Sequence, residues 1–123
     1  MLLLRKATEV DLPLTMAWRN QEKVYRGFYT QKEPLTWQEH INWHQSRNQD
    51  WREFIIELLE NDIVRPIGVV EIGQLDHWSP ECGILIGNPT DWNKGFGKQA
   101  IELALDWLKD YSKSHPHIEG CHT

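Results

Sequence analysis

The chain has 123 residues, which is the usual size of one domain, and we expect a single domain over residues 1–123. Its formal net charge of -5 argues against a nucleic-acid-binding protein, which needs a basic face. Hydrophobic residues make up 40% of the chain and include seven Trp, so a core can form, but no apolar run is long enough to span a membrane.

The start of the chain does not resemble a secretory signal. Met1-Leu2-Leu3-Leu4 precedes Arg5-Lys6, whereas a signal peptide has its charged part first. The two cysteines, Cys82 and Cys121, lack CxxC spacing, which favours reduced thiols. These features predict a cytoplasmic protein.

The first predicted elements are a strand and a helix. Residues 2–7 read as the strand, and Thr8 or Asp11 can cap a helix that continues through Asn20, with Pro13 tolerated in its first turn. Residues 21–28 predict a second, short helix that ends at Gly27.

A third helix starts at a capping box. Thr36 is the predicted N-cap and Glu39 stands three residues later. One face of this helix carries Trp37, Ile41 and His44.

Three strands follow through short connections. They are Trp51–Glu60, Ile67–Leu75 and Glu81–Gly87, separated by turns at residues 61–62 and 76–80. Short connections favour an antiparallel meander.

An amphipathic helix is predicted from Gly95 to about Ser112. Its apolar stripe consists of Ala100, Ala104, Trp107, Leu108 and Tyr111. Its polar, solvent-facing side consists of Glu102, Asp106, Lys109 and Lys113. Residues 117–122 then read as the start of another strand.

Two glycines one residue apart, Gly95 and Gly97, stand where this helix begins. They let the backbone turn sharply, so the N–H groups of the turn and of the first helical residues can converge. The helix dipole adds partial positive charge there, and Lys94 and Lys98 flank the turn. This pattern indicates a cradle for an anion, most naturally a pyrophosphate.

Other interpretations of this glycine pair are weaker. Residues 95–100 also fit the dinucleotide fingerprint G-x-G-x-x-A, but that motif needs the strand to run straight into the turn, and here residues 88–94 intervene. A Walker-type loop is excluded because Gln99 follows Lys98 and supplies no hydroxyl for Mg²⁺. A plain capping turn without a ligand stays open.

The order of elements and this turn resemble the GNAT superfamily of acetyl-CoA-dependent N-acetyltransferases. Residues 82–89 look like that family's fourth strand, and residues 92–97 like its R/Q-x-x-G-x-G/A pyrophosphate turn. The resemblance covers essentially the whole chain and is greatest to the branch of ribosomal-protein alanine acetyltransferases, where an aromatic residue often stands at the position of Trp92. It implies an α/β (α+β) fold with a mixed, mostly antiparallel sheet flanked by helices.

The resemblance also implies acetyl-CoA as co-substrate, attacked directly by an amine without an acyl-enzyme. The pyrophosphate would bind the turn amides, and the pantetheine arm would pair with the fourth strand, where an N–H near Leu85 or Ile86 would face the thioester oxygen. The implied cofactor-binding residues are Ile84, Leu85, Ile86, Trp92, Lys94, Gly95, Phe96, Gly97, Lys98 and Gln99.

Candidates for the catalytic base are Glu71 and Glu81, because a carboxylate inside a sheet has a raised pKa. A water chain is an equally open alternative. The tripeptide Trp18-Arg19-Asn20 resembles enzymes that acetylate nucleotide-linked amino sugars, so these three residues are substrate candidates. Trp18, Trp37 and Trp43 could form a stacking wall. The acceptor stays open among an amino sugar nucleotide, a protein N-terminus and a small amine.

No metal site is expected. His40 and His44 have ligand-like i, i+4 spacing, but they lack the HExxH pattern and a third ligand, so surface or half-buried histidines are expected. Three histidines, His115, His117 and His122, lie close together near the end of the chain, but a dedicated metal site is not expected there. Cys121 beside His122 is a poor candidate for a Cys–His nucleophile.

Members of the family usually continue for a further strand, helix and strand, which carry an Asn on the cofactor arm and a Tyr that protonates the thiolate. The chain ends at Thr123, so we expect a fold without this last unit, and catalytic competence is an open point. The strand at 81–87 would have an exposed edge, which we expect a second copy to cover in a homodimer. The rival functions are a non-catalytic CoA-binding or structural fragment and a nucleotide-dependent oxidoreductase.

Overall fold

The computed structural model describes residues 1–27, 31–47 and 50–121. Within them, four strands form one sheet in the order β1-β2-β3-β4, and every pairing is antiparallel. The strands are β1 (Leu2–Lys6), β2 (Arg52–Glu60), β3 (Ile63–Gly73) and β4 (Glu81–Ile86), and the helices are α1 (Leu12–Arg19), α2 (Glu22–Tyr25), α3 (Trp37–Ser46) and α4 (Phe96–Ser112). The predicted α/β fold with an antiparallel sheet flanked by helices is confirmed.

The main core lies between one face of the sheet and α4. Alternate residues of the strands pack here against the apolar stripe of α4. The strands contribute Ile56, Val70, Ile72 and Cys82, and the helix contributes Ala100, Ala104 and Leu108. The predicted stripe of α4 is therefore confirmed. A smaller cluster of Trp18, Ile55 and Val69 lies on the opposite face, beneath α1.

The start of α3 is the predicted capping box. The Glu39 N–H donates to Thr36 Oγ1 at 3.1 Å, and the Thr36 N–H donates to Glu39 Oε1 at 3.0 Å. However, the residue that α3 buries is His40, while Trp37 is 45% exposed. The expected face of Trp37, Ile41 and His44 is therefore not the face that enters the core.

Strand β3 begins at Ile63, four residues earlier than expected. Asn61 and Asp62 have φ values of 52° and 62°, the left-handed conformation that a tight two-residue hairpin requires. The register of β2 and β3 shifts between Ile56 and Glu57, and Pro66 is tolerated in the strand at this irregularity, where a missing N–H costs little.

The start of α1 agrees with the prediction, whereas the strand predicted after α4 is wrong. Thr8 is the N-cap of a 3-10 turn at Glu9–Asp11, and Asp11, one of the two predicted capping residues, is the N-cap of α1, which starts at Leu12. The strand expected at 117–122 does not form over the described residues 117–121. Instead, the Glu119 N–H donates to the Trp78 carbonyl at 2.7 Å, which directs this segment to the loop before β4; His122 lies outside the described residues.

Candidate functional site

A cavity of about 430 Å³ lies between α1, α3 and the sheet face opposite α4. Charged and aromatic side chains dominate its wall. The lining residues that carry chemistry are Arg19, His40, Trp43, Arg47, Trp51, Glu53, Glu71 and Glu81, beside the β4 segment Gly83, Ile84 and Leu85. The structure thus brings Arg19 together with both predicted base candidates.

Two carboxylates stand side by side on the floor of this cavity. Glu53 on β2 is directly opposite Glu71 on β3, and Gly83 on β4 is opposite Glu71. Directly opposite residues project from the same face of a sheet. A Cβ at Gly83 would meet no atom within 4 Å, so the space next to Glu71 is open. Glu81, the other predicted base, is exposed at the rim.

The pKa values of both carboxylates are raised above their ordinary value. Burial, followed by the negative charge of Glu71, raises the pKa of Glu53 to about 7. Burial also raises the pKa of Glu71, although Arg47 and Arg19 oppose the effect. A role for Glu53 was not predicted from the sequence. The feature that could have identified it is its position, because its side chain projects from the same face as that of Glu71 once β2 pairs with β3.

The variant Glu53→Gln is expected to raise the free energy of unfolding at pH 8 and to leave it nearly unchanged at pH 4. The folded pKa of about 7 lies above the usual 4.5, so the favourable contribution of Glu53 is complete below pH 4.5 and is lost as pH rises through 7. The gain at pH 8 should be on the order of 2 kcal/mol.

Urea unfolding of the wild type and of Glu53→Gln at both pH values measures this difference. Glu60→Gln, at the exposed end of β2, provides the control. An equal gain for Glu53→Gln at pH 4 and pH 8 would contradict the expected burial effect.

Two arginines converge on one indole ring. The Cζ atoms of Arg19 and Arg47 lie 4.6 Å and 4.2 Å from the centre of Trp43, and that of Arg47 lies 3.9 Å from Trp51. Arg47 Nη2 approaches Glu71 Oε2 at 3.7 Å. Among the residues described, Arg19 has no ion-pair partner, and its Nη1 is buried without a hydrogen-bond partner, as is Arg47 Nε.

His40 is completely buried, at 0% exposure, which corrects the expectation of a surface or half-buried side chain. The Thr15 hydroxyl donates to the Leu12 carbonyl at 3.2 Å and lies 3.0 Å from His40 Nε2. Nδ1 of the same ring is buried without a hydrogen-bond partner. Burial lowers the pKa of His40, so the ring is neutral at neutral pH, and it stacks on Trp43 with an interplanar angle of 8°.

The other two residues of the predicted substrate tripeptide make contacts within the fold. Trp18 is buried at 8% exposure and fills the space above Gly87, where an added Cβ would lie 2.3 Å from its ring. Asn20 Nδ2 donates to the Leu35 carbonyl at 3.0 Å, and the Leu35 N–H donates to Asn20 Oδ1 at 2.6 Å. These contacts account for Trp18 and Asn20, and Arg19 alone of the three lines the cavity.

Strand β4 is at the edge of the sheet formed by the described residues. The Gly87 N–H donates to the Ile67 carbonyl at 2.8 Å. Because the direction alternates along an antiparallel strand, the N–H and C=O of Leu85 face β3 and those of Ile84 and Ile86 face the open edge. Trp92 Nε1 donates to the outward Ile86 carbonyl at 2.9 Å, so Trp92 ties the following turn to β4.

The turn before α4 leaves its amides accessible. Gly95 is the N-cap with φ of 80°, and the first bond of the helix runs from the Gln99 N–H to the Gly95 carbonyl at 3.1 Å. Within the described part of the chain, no group accepts a hydrogen bond from the N–H groups of residues 94–98. Lys94 and Lys98 are exposed on either side of the turn. This turn can accept an anion without losing any bond of its own.

An ion pair holds the turn against the sheet. Asp91 is buried at 3% exposure and accepts from Arg65 Nη1 and Nη2 at 2.8 Å and 3.1 Å. Arg65 lies on β3, so the two-bond contact connects the segment between β4 and α4 to the neighbouring strand. The contact was not foreseen from the sequence, because the partners are 26 residues apart.

Asp91→Ala is expected to lower the free energy of unfolding by about 1–2 kcal/mol, since it removes charge-assisted bonds from a buried carboxylate to a half-exposed arginine. Thermal or urea unfolding measures the loss. Asp110→Ala is the matched control: its pair with Lys113 at 3.6 Å is solvent-exposed, so its removal should cost less than about 0.5 kcal/mol. Equal losses in the two variants would contradict a structural role of Asp91.

Two classes of site find no support within residues 1–27, 31–47 and 50–121. No three His, Cys, Asp or Glu side chains cluster as metal ligands would. No helix in these ranges has both the length and the hydrophobicity needed to span a membrane.

Comparison with known proteins places this geometry in context. A family model described as an acetyltransferase (GNAT) domain matches residues 1–122. An uncharacterized protein of Methanocaldococcus jannaschii is 45% identical over 121 residues, which are 95% of this chain but only 24% of that protein. The chain therefore spans about a quarter of the length of this relative.

Solved structures show the same fold. A domain from Methanocaldococcus jannaschii is 43% identical with a TM-score of 0.87, over 90% of this chain and 71% of the other. Spermidine N-acetyltransferase from Vibrio cholerae in complex with CoA and spermine is 24% identical with a TM-score of 0.72, over 87% and 63% of the two chains.

Proposed function

The chain belongs to the GNAT acetyltransferase family, and from this premise we propose that it transfers an acetyl group from acetyl-CoA to a primary amine. One observation carries the proposal. The amides of residues 94–98, which have no acceptor among the described residues, lie beyond the end of β4. In the sheet that these residues form, β4 is the edge strand, and it also borders the charged cavity. These features support a proposed anion cradle, a proposed edge for the cofactor arm and a proposed acceptor pocket along one strand.

We propose that the donor binds along this path. The N–H groups of residues 94–98 would hold the pyrophosphate, since a helix N-terminus favours negative charge. The outward N–H and C=O groups of Ile84 and the outward N–H of Ile86 would pair with the pantetheine arm. Of the two N–H groups considered from the sequence, only that of Ile86 has the direction needed to face the thioester oxygen.

The cavity would hold the acceptor beside this edge. Glu71 is the proposed base, because it is partly buried, borders the open space at Gly83 and has a pKa that burial raises. It would take the proton of the ammonium so that the neutral nitrogen can form the new C–N bond while the C–S bond breaks. The overall reaction yields the acetylated amine, CoA thiol and one proton.

Two measurements test the proposal. Calorimetric titration should give one acetyl-CoA site with a dissociation constant in the range of about 1 μM to 1 mM, and no comparable site for NADPH. Release of free thiol with a panel of primary amines should demonstrate turnover. Absence of acetyl-CoA binding, or tighter binding of NADPH, would refute acetyl transfer.

A non-catalytic CoA-binding module is the second candidate. The observation that favours it is the lining of the cavity, which includes no tyrosine among the residues described and so offers no obvious acid for the departing thiolate. Acetyl-CoA binding without thiol release from any amine would support this alternative.

The single domain over residues 1–123, the homodimer and the cytoplasmic location stay predictions.

A further inference from the structure

Resting on the proposed function, we infer that the acceptor carries an acidic group, a carboxylate or a phosphate, close to its amine, and that Arg19 binds this group. The basis is a cation in the cavity that makes no ion pair within 4 Å among the described residues, although Glu71 and Glu53 attract it from a longer distance. Neither the family nor its relatives define the class of acceptor that this pocket takes.

Arg19 is partly buried, and it lacks close partners for its guanidinium group among the described residues. Its Nη1 is buried with no hydrogen-bond partner, and no carboxylate of the described residues lies within 4 Å of its guanidinium. Stacking on Trp43 at 4.6 Å stabilises the cation only partly. A buried N–H without a hydrogen-bond partner is costly, so a ligand anion that accepts from Nη1 would stabilise this arrangement.

Arg47 brings a second positive charge to the same place. Both guanidinium groups lie within 5 Å of the Trp43 ring centre, although like charges repel. The only ion pair of Arg47 within the described residues is with Glu71 at 3.7 Å, which is longer than a good hydrogen bond, and its Nε is buried and unpaired. A carboxylate or phosphate between the two arginines could accept hydrogen bonds from both.

The rest of the cavity fits the amine of the same molecule. Glu53 and Glu71 offer negative charge to an ammonium at the β4 side, while Arg19 extends from the end of α1. A second cavity of about 630 Å³ shares Arg47, Trp51, Glu53 and Glu71 and adds Lys6, His44 and Arg52 to its wall. A polyamine would place additional cations against these basic groups, so the pocket favours an acceptor of mixed charge.

Matched pairs of small amines test the inference by binding alone. Phosphoethanolamine is compared with ethanolamine, and β-alanine with propylamine, and spermidine is the polycationic reference. Dissociation constants are measured from the tryptophan indole NMR signals of the full chain saturated with CoA. In at least one pair, the acid-bearing member should bind about tenfold or more tightly than its partner. The pair with the larger ratio identifies phosphate or carboxylate as the preferred acid.

Variants then assign the preference to Arg19. Arg19→Gln should reduce the ratio about tenfold, towards one, and Arg19→Lys should give an intermediate ratio because the charge stays but the planar fork is lost. Lys109→Gln removes the same charge from exposed α4 and should keep the wild-type ratio. A wild-type ratio near one, tighter binding of spermidine, no detectable binding of either acid, or an unchanged ratio in Arg19→Gln would each overturn the inference.

Thiol release with acetyl-CoA on the same samples separates the two proposals. If the binding preference depends on Arg19 but no amine yields thiol, acetyl transfer fails and the assignment of the ligand class stands. If thiol is released equally from both members of each pair and they bind equally, acetyl transfer stands and the inference fails.

Discussion

Glu71→Gln is expected to lower kcat/KM for the acceptor amine by a factor on the order of 10² to 10³, the usual contribution of a positioned base. The glutamine keeps the shape of the side chain but cannot take a proton from the ammonium. Affinity for acetyl-CoA should stay within about twofold of the wild type, because the proposed cofactor contacts are backbone groups of β4 and the turn. Thiol-release kinetics and calorimetry measure the two quantities.

The pH profile adds a second test of the base. The wild type should gain kcat/KM as pH rises through the pKa of Glu71, which burial raises above its ordinary value. The gain arises because only the ionised carboxylate accepts a proton. This limb should disappear in Glu71→Gln.

Two control variants sharpen the assignment. Glu81→Gln, at the exposed rim, should cost less than about tenfold, and Glu60→Gln, on the far end of β2, should have wild-type kinetics. If Glu71→Gln retains activity while Glu81→Gln loses it, the rim carboxylate is the base. If neither variant loses activity, a water chain takes the proton.

Gly95→Val is expected to weaken acetyl-CoA binding about 100-fold. The residue has φ of 80°, a conformation that a β-branched side chain rarely adopts, so the turn must relax and its N–H groups must change direction. The loss of two charge-assisted bonds to the pyrophosphate would account for this factor.

Calorimetric titration measures the change, and circular dichroism checks that the variant is folded. Gly120→Val is the matched control, because an added Cβ there meets no atom within 4 Å and the backbone has no positive φ. Wild-type affinity in a folded Gly95→Val protein would show that the turn does not hold the cofactor.

Local patterns in the sequence predicted most of the fold. The capping box at Thr36, the stripe of α4 and the three-strand meander depend on residues close to one another, so composition and spacing suffice. The early start of β3 was not predicted, because a strand accommodates Pro66 at an irregularity that exists only once β2 pairs with β3. The strand expected after α4 failed because Glu119 donates to Trp78 instead, a contact between distant segments.

The candidate site was predictable only in part for the same reason. Glycine spacing and the order of elements are enough to predict the turn. The sequence predicts Glu71 and Arg19 as separate candidates, without predicting that they share a cavity. The role of Glu53 depends on strand register, and the burial of His40 depends on how α3 lies against α1. Such relations between distant residues cannot be derived from a single sequence without knowing the pairing.

The sheet separates two sets of residues that evolution can treat differently. The main core fills one face beneath α4, whereas the arginines, tryptophans and carboxylates of the cavity occupy the other. Substitutions at distant, non-contacting positions tend to have additive effects. A lineage could therefore exchange one acceptor for another through a few changes on the cavity face, with little need for compensating changes in the α4 core.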